Sequence, residues 1–316
     1  MKKIALSFAA LALTAGSALA ADLPSRKGPP VLPPPPPPPP LWTGFYVGLN
    51  AGGTWANSNG QYLAVAPVGA DATWGNAGAQ QSQYLAAFSS AASASVVNSG
   101  ANGGFIGGGQ IGYNWQFYNS FVVGLEADIQ GLAGNSGARS VTNAVSVGSF
   151  LQRRTDDGFA SITSGRASLD YLGTVRGRLG WLFTPTLLVY GTGGLAYGGV
   201  NLNTATTVSA IGSSPWAVAQ PVSFGGVNFS NTQVGWAAGG GLEWLFWPNW
   251  SAKVEYLYYD LGTVTQNFAI ATSDPATGGS AVFGGQVRGR INGNIVRAGL
   301  NYHFNWGAPA PVVAKY

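Results

Sequence analysis

Residues 296–304, near the end of the chain, read Val-Arg-Ala-Gly-Leu-Asn-Tyr-His-Phe. Apolar side chains occupy every second position from Val296 to Phe304, and Arg297, Asn301 and His303 fall between them. Because successive side chains of a β-strand point to opposite faces, this alternation predicts a strand with one apolar and one polar face. About nine residues are enough for a tilted strand to cross a bilayer, so the stretch predicts a membrane-spanning strand.

The same alternation recurs along the chain and predicts eight such strands. In chain order they are 44–52, 105–117, 121–130, 169–181, 187–197, 236–246, 252–258 and 296–304. Three connections between them are tight turns, and the other four are long and rich in Ala, Ser, Gly, Asn and Thr: 57–102, 133–166, 199–232 and 262–287. Short turns on one side and long loops on the other are typical of outer-membrane barrels. We therefore predict an all-β fold, an eight-stranded antiparallel transmembrane β-barrel with long extracellular loops and a Pro-rich N-terminal segment.

The composition favours the same fold. Only 8% of the 316 residues are charged, against about 25% in an ordinary soluble domain. No apolar run beyond the N-terminus is long enough for a transmembrane helix, which needs about 18 residues. The chain has no cysteine and one histidine, which excludes disulfide frameworks, thiolate zinc sites and histidine-cluster metal sites. No cluster of basic residues interleaved with aromatics occurs, so neither a nucleic-acid partner nor a cofactor is predicted.

Aromatic residues gather at the strand ends next to the short turns, which we assign to the periplasmic side. They are Trp42, Trp115, Phe117, Tyr118, Phe121, Trp181, Phe183, Phe246, Trp247, Trp250, Tyr302, Phe304 and Trp306. Aromatic belts of this kind mark the interface between a membrane and water. The pattern predicts that these side chains form the periplasmic girdle of the barrel.

The N-terminus has the three parts of a secretory signal. Lys2 and Lys3 are followed by the short apolar run 4–13 and by Ala18-Leu19-Ala20, which predicts cleavage after Ala20. Eight consecutive prolines at 33–40 predict a stiff polyproline II rod of roughly 25 Å. We interpret this segment either as a periplasmic spacer or as a repeat in a solvated tail. The predicted domains are a signal peptide (1–20), a Pro-rich linker (21–41), a barrel (42–304) and a periplasmic tail (305–316).

The polar faces of the predicted strands carry acids and bases in nearly equal number. They are Glu126, Asp128, Asp170, Glu243 and Glu255, with Arg176, Arg178, Lys253 and Arg297. In a narrow lumen these charges should pair, because an unpaired buried charge is very costly. Eight strands leave an interior just wide enough for side chains, which favours a structural plug. A gated pathway for ions or small solutes is the alternative. No serine or acid is obviously placed beside His303 in the sequence, so no catalytic site is predicted.

Several stretches resemble the RopB-type family of small outer-membrane proteins, also called outer membrane immunogenic proteins, within the OmpA-like barrel superfamily. These stretches are Trp-Thr-Gly-Phe-Tyr-Val-Gly at 42–48, Gly-Gly-Gln-Ile-Gly-Tyr-Asn-Trp-Gln at 108–116, Gly-Leu-Glu-Ala-Asp at 124–128, Thr-Val-Arg-Gly-Arg-Leu-Gly at 174–180 and Asn-Tyr-His-Phe at 301–304. The resemblance covers residues 42–304. It implies an eight-stranded barrel in the outer membrane of a Gram-negative bacterium.

The resemblance also implies partners. A mature Ala-Asp N-terminus, as at Ala21-Asp22, is a site of covalent attachment to peptidoglycan in this family. A terminal aromatic, here Phe304, is the signal read by the outer-membrane assembly machinery, and outer-membrane lipid and lipopolysaccharide surround the barrel. This sequence departs from the family pattern by continuing through 305–316 beyond Phe304.

Overall fold

The computed structural model describes residues 41–57, 59–74, 79–98, 104–118, 120–134, 137–147, 157–213 and 215–304. In chain order its elements are β1 (Gly44–Ala56), β2 (Asn59–Ala70), α1 (Ala79–Ala92), β3 (Ala94–Asn98), β4 (Gly104–Phe117), β5 (Phe121–Ala133), β6 (Gly137–Ser146), β7 (Gly158–Thr184), β8 (Leu187–Ile211), α2 (Pro215–Ala219), β9 (Ser223–Trp247), β10 (Trp250–Asp274) and β11 (Gly279–Phe304). The predicted signal peptide, nearly all of the linker and the tail 305–316 lie outside the described residues.

Eight of the strands close into a ring in the order β1-β4-β5-β7-β8-β9-β10-β11. Every pairing is antiparallel, and β1 closes the ring by pairing with β11, with Phe45 opposite Phe304. Tight turns join β4 to β5, β7 to β8, and β9 to β10. Closure satisfies the backbone hydrogen bonds of every strand within the bilayer. The predicted eight-stranded antiparallel barrel is confirmed.

The long connections differ from the irregular loops that their composition indicates. β7 to β11 continue as strands of 25 to 27 residues, and β2, β3 and β6 add further strands beside β11 and β7. The Ser- and Thr-rich segments keep an alternation of buried and exposed residues. Inside the barrel, the hydroxyl oxygens of Thr163 and Thr206 form a hydrogen bond of 2.8 Å. Sheet pairing therefore satisfies the backbone well beyond the membrane.

The ring opens on one side above the membrane. β9 pairs with β10 only as far as Trp236 and Asp260, although β8 stays paired with β9 as far as Ser223. A bulge in β10 follows Asp260, where Gly262 has a φ of +82° and its backbone amide donates to the Asp260 carboxylate at 2.9 Å. The outer part of the barrel thus consists of two sheets separated by a seam between β9 and β10.

The outer surface of the ring is apolar near the short turns. Large exposed side chains here include Leu125, Leu179, Leu242, Val254 and Leu300, as expected for a lipid-facing wall. Most of the predicted periplasmic aromatics are exposed on this wall as well. Trp42 is an exception, because its side chain is fully buried inside the barrel. It precedes the first strand and turns inward, so strand alternation does not apply to it. Trp306 lies outside the described residues.

Two apolar clusters fill the interior at different heights. Near the periplasmic turns, one cluster consists of Trp42, Val122, Leu182, Leu188, Tyr190 and Leu245. The other fills the outer part and includes Leu172, Leu257, Ile295 and residues of α1. Within it, the α1 residue Phe88 stacks on Phe283 with ring centroids 4.1 Å apart. Among the described residues, no helix is long and apolar enough to cross a membrane. The lumen between these clusters contains the charged residues.

Candidate functional site

A layer of charged side chains fills the lumen between the two apolar clusters. Strand pairing brings opposite charges side by side in three places: Glu126 beside Arg176, Glu243 beside Lys253, and Glu255 beside Arg297. Each of these residues is almost completely buried. The pairing register alone therefore compensates much of the charge in the layer.

Glu126 is the centre of the network. It accepts hydrogen bonds from Arg176 Nη2 at 2.7 Å, from Lys253 Nζ at 2.9 Å and from the Tyr46 hydroxyl at 2.7 Å. Arg178 Nη1 also approaches it at 3.4 Å. One carboxylate thus contacts cations on the neighbouring strand β7 and on β10, and it also lies 3.7 Å from Arg297 Nη2 on β11, so it links strands that are not neighbours in the sheet.

Asp128 and Glu255 form a second group beside this centre. Asp128 accepts from Arg176 and from Arg297, both at 2.8 Å. Glu255 accepts from Arg297 Nε at 2.8 Å, from Arg176 Nη1 at 3.1 Å and from the Tyr190 hydroxyl at 3.0 Å. Arg176 is therefore shared among three carboxylates, which is the arrangement needed to satisfy buried charges.

Glu243 lies closer to the periplasmic end. It accepts from Arg178 Nη2 at 2.5 Å, and from Ser251 Oγ and Asn301 Nδ2 at 2.6 Å each. The guanidinium of Arg178 also lies over the Tyr190 ring, 4.0 Å from its centroid. Such a cation–π contact adds to the charge-assisted hydrogen bonds.

Asp170 does not belong to this network, so its assignment to the lumen is wrong. Its side chain is exposed on the outside of β7 and accepts a hydrogen bond from Asn201 at 2.8 Å. The pairing of β7 with β8 shifts between Leu169 and Leu172, and such a bulge reverses which residues point inward. Without Asp170 the layer contains four acids and four bases, so its formal charge is balanced.

Several uncharged polar residues of the network were not predicted as site residues. Tyr46, Tyr190, Ser251 and Asn301 all bond to its carboxylates. Ser251 and Asn301 lie on the same inward face as Lys253 and Arg297 of their strands, whereas β1 and β8 contain no charged residue that would mark Tyr46 or Tyr190. Hydroxyl and amide groups are common on both faces of these strands, so their residue types alone do not mark them as part of a charged network.

His303 is placed beside a serine and an acid, contrary to the interpretation from the sequence. Its Nε2 lies 2.9 Å from Ser251 Oγ and 3.5 Å from Glu243 Oε1. In a catalytic triad the serine and the acid bond to different ring nitrogens, whereas here both approach the same nitrogen. All three side chains are buried. Among the described residues, no group of three or more His, Cys, Asp or Glu could hold a metal ion.

Two of the predicted sites concern the ends of the barrel. Ala21 and Asp22, the predicted attachment site, lie outside the described residues. Phe304 is the last residue of β11, and its ring contacts that of Tyr302 at 5.1 Å between centroids. It therefore occupies the periplasmic rim, beside the first strand of the ring.

Comparison with known proteins agrees with this architecture. Residues 7–304 match the family described as the outer membrane protein beta-barrel domain. The 31 kDa outer-membrane immunogenic proteins of Brucella melitensis and Brucella suis are each 33% identical to the chain over 310 residues, covering 96% of this chain and all of theirs. OprG from Pseudomonas aeruginosa is 10% identical, with a TM-score of 0.30 over 83% of this chain and 97% of that one.

These matches confirm the resemblance to outer membrane immunogenic proteins and the predicted location in the outer membrane of a Gram-negative bacterium. They agree with the closed ring of eight antiparallel strands and its apolar outer wall. The chain belongs to the outer membrane protein beta-barrel family.

Proposed function

We propose that this chain is a structural, non-conducting barrel that contributes to the integrity of the cell envelope and presents its outer hairpins at the cell surface. The observation that supports it best is the closed lumen. The side chains of Arg176, Glu126, Asp128, Glu255 and Arg297 have no solvent exposure, and an apolar cluster covers the layer on each side. An ion would have to displace several charge-assisted hydrogen bonds to pass.

A planar-bilayer recording tests the closed lumen. We expect no reproducible unitary currents from the purified, refolded chain, because the side chains of the charge layer are buried and bonded to each other across the lumen. A large porin reconstituted in the same way is the positive control, and a heat-denatured aliquot of the same preparation controls for contaminants. Reproducible channels that disappear on heating and change amplitude in the variant Arg178→Lys would contradict the proposal.

A gated pathway for ions or small solutes is the second candidate, and one observation favours it. Within the described residues, both amide atoms of Asn114, Oε1 of Gln130 and Nη1 of Arg297 are buried without a hydrogen-bond partner. Buried polar groups of this kind usually bind ordered water. If the charged side chains rearranged to open a pathway, water bound at these positions would form part of its polar lining. The bilayer recording distinguishes the two candidates.

The proposed role includes no catalysis. Ser251 and His303 are buried under Trp42, whose ring meets the His303 ring edge-on at 5.7 Å. A substrate would have to displace this tryptophan and the hydrogen bond between its indole N–H and the Pro185 carbonyl at 3.0 Å. We assign the cluster to closing the periplasmic mouth.

Attachment to peptidoglycan through Ala21 and Asp22 is a further part of the proposal. The eight prolines at 33–40 would span roughly 25 Å as a polyproline rod. Immediately after them, Trp42 is fixed inside the barrel by two hydrogen bonds, one from its indole N–H and one from its backbone amide to Gln116. A stiff segment whose C-terminal end is held by the barrel suits a tether between the membrane and the cell wall.

Muramidase digestion of isolated cell envelopes tests this attachment. We expect the digest to release protein carrying a sugar-peptide remnant on its N-terminus, visible as added mass on the N-terminal peptide. The variant Asp22→Asn should lose the remnant, because the attachment motif is changed, while Asp71→Asn should keep it. An N-terminal peptide of unmodified mass in the wild-type digest would refute the tether.

A further inference from the structure

The strand that closes the ring is also the first strand of the chain. β1 pairs with β4 from Gly44 onward and with β11 from Phe45 onward. A pull on the N-terminal segment would therefore act on the end of this strand. There the backbone hydrogen bonds would break one after another, and a single hydrogen bond contributes little net free energy. The closure of the ring needs protection from such a load.

Residues 41–43, which we call the strap, leave the sheet just before β1. The chain turns at Gly44, whose φ is +143°, and a β-carbon there would lie 2.8 Å from the Phe304 carbonyl oxygen. Glycine alone suits both this conformation and this close approach. The turn places the Trp42 side chain inside the lumen, where it is fully buried.

Hydrogen bonds connect the strap to two separate parts of the wall. On β4, Gln116 Oε1 accepts from the Trp42 backbone amide at 3.2 Å, and the Gln116 amide donates to Thr43 Oγ1 at 3.0 Å. In the turn between β7 and β8, the Pro185 carbonyl accepts from the indole N–H of Trp42 at 3.0 Å. Since β5 and β7 lie between β4 and β8 in the ring, the strap bridges strands that are not neighbours.

Apolar packing adds to these bonds. The indole ring belongs to the cluster that contains Val122, Leu182 and Leu188, and Leu41 packs against the same cluster. To leave the lumen, the largest side chain of the strap would have to lose many van der Waals contacts together. A pull along the strap is thus opposed by many contacts at once, whereas a pull on the end of β1 would meet one hydrogen bond at a time.

We propose that Trp42 is a mechanical anchor, which passes a pull on the N-terminal segment to β4 and to the turn between β7 and β8. The pairing of β1 with β11 is thereby shielded from the load. The inference rests on the proposed attachment to peptidoglycan, which would be the source of the load in the cell. Trp42 is suited to this role because it stands two residues after the last of the eight prolines at 33–40.

Single-molecule pulling on the purified mature chain in a lipid bilayer tests the anchor. The chain has no cysteine, so Ala21→Cys provides a unique site for a pulling handle. Extraction of the 13 residues of β1 would lengthen the molecule by about 45 Å. At a constant load we expect Trp42→Ala to shorten the time before this step by at least about tenfold, since the bond to Pro185 and the packing are both lost. Trp42→Phe keeps most of the packing without the indole N–H and should fall between the two.

Trp250→Ala is the matched control, since it removes a tryptophan from the same rim whose side chain is exposed on the outside of the ring. It should keep the lifetime of the wild type under load. Without load, all variants should keep the heat-dependent gel mobility of a folded barrel, and if Trp42→Ala does not fold, Trp42→Phe provides the comparison.

Two results would overturn the anchor: a lifetime under load that neither Trp42 variant shortens, or equal shortening by Trp250→Ala. The handle replaces the natural attachment, so these results do not depend on whether the chain is linked to peptidoglycan. Muramidase digestion tests that link separately.

Discussion

Replacing Glu126 by glutamine is expected to destabilise the barrel by about 3–5 kcal/mol, the usual cost of removing one partner from a buried ion network. Glu126 contacts Arg176, Arg178 and Lys253, all of them buried. A neutral amide leaves the cations of the layer in excess by one charge, without water to solvate them. The free energy of unfolding can be measured from urea titrations in lipid vesicles, with tryptophan fluorescence and gel mobility before and after boiling as readouts.

Two matched aspartate variants distinguish the loss of stability caused by breaking the lumen network from a general effect of removing a carboxylate. Asp128→Asn removes a carboxylate that Arg176 and Arg297 both contact, and we expect a loss of about 3 kcal/mol. Asp170→Asn makes the same chemical change on the outside of β7 and should alter stability by less than about 0.5 kcal/mol. Equal losses in the two variants would refute the assignment of Asp170 to the outer surface.

Alanine at Gly194 is expected to impair folding strongly. A β-carbon placed on Gly194 would lie 2.2 Å from the Val175 carbonyl oxygen and 2.7 Å from the Arg176 α-carbon. The neighbouring strand would have to move, although Arg176 is held by three carboxylates. We expect a loss of about 3 kcal/mol or more, measured by the same urea titration and by the fraction of chain that gains the mobility of a folded barrel.

The adjacent residue, Gly193, provides the control. A β-carbon there would meet only the Ala237 carbonyl oxygen at 3.8 Å and the Ala238 β-carbon at 3.9 Å, which are ordinary contacts. Gly193→Ala should therefore be neutral or stabilise the barrel by up to about 1 kcal/mol, since alanine loses less backbone entropy than glycine on folding. If Gly193→Ala were as harmful as Gly194→Ala, close approach of β7 would not explain the requirement for glycine.

The part of the fold within the membrane could be predicted because its cause is local. Each spanning strand has lipid on one face and the lumen on the other, so alternation appears in the sequence itself. The bonds of the network are different, since Glu126 and Lys253 are 127 residues apart and only ring closure brings them together. The position of these charged residues in one layer was predictable from their distance to the short turns and from the alternation along each strand. Which residues bond to each other was not predictable.

The errors also have physical causes. A single bulge after Leu169 moves Asp170 from the inner to the outer face of β7. Nothing in the local sequence indicates this extra residue. Trp42 precedes the first strand, so its inward turn depends on Pro185 and Gln116, which are distant in the sequence. The outer strands were interpreted as loops because Ser, Thr, Asn and Gly are common in loops. Their pairing depends on neighbouring strands and not on their own composition.

The seam between β9 and β10 has a consequence for solubility at the cell surface. Residues 223–235 and 263–273, which line it, contain no charged residue and no proline, whereas exposed sheet edges usually carry such residues to prevent pairing with other chains. Here the two edges face each other, and a β-carbon on Gly225 would lie 2.4 Å from an Ile270 carbon and 2.6 Å from the Phe268 ring. Each edge therefore shields the other from strands of neighbouring molecules, so these two uncharged segments can extend beyond the membrane without the charged residues that usually protect a sheet edge.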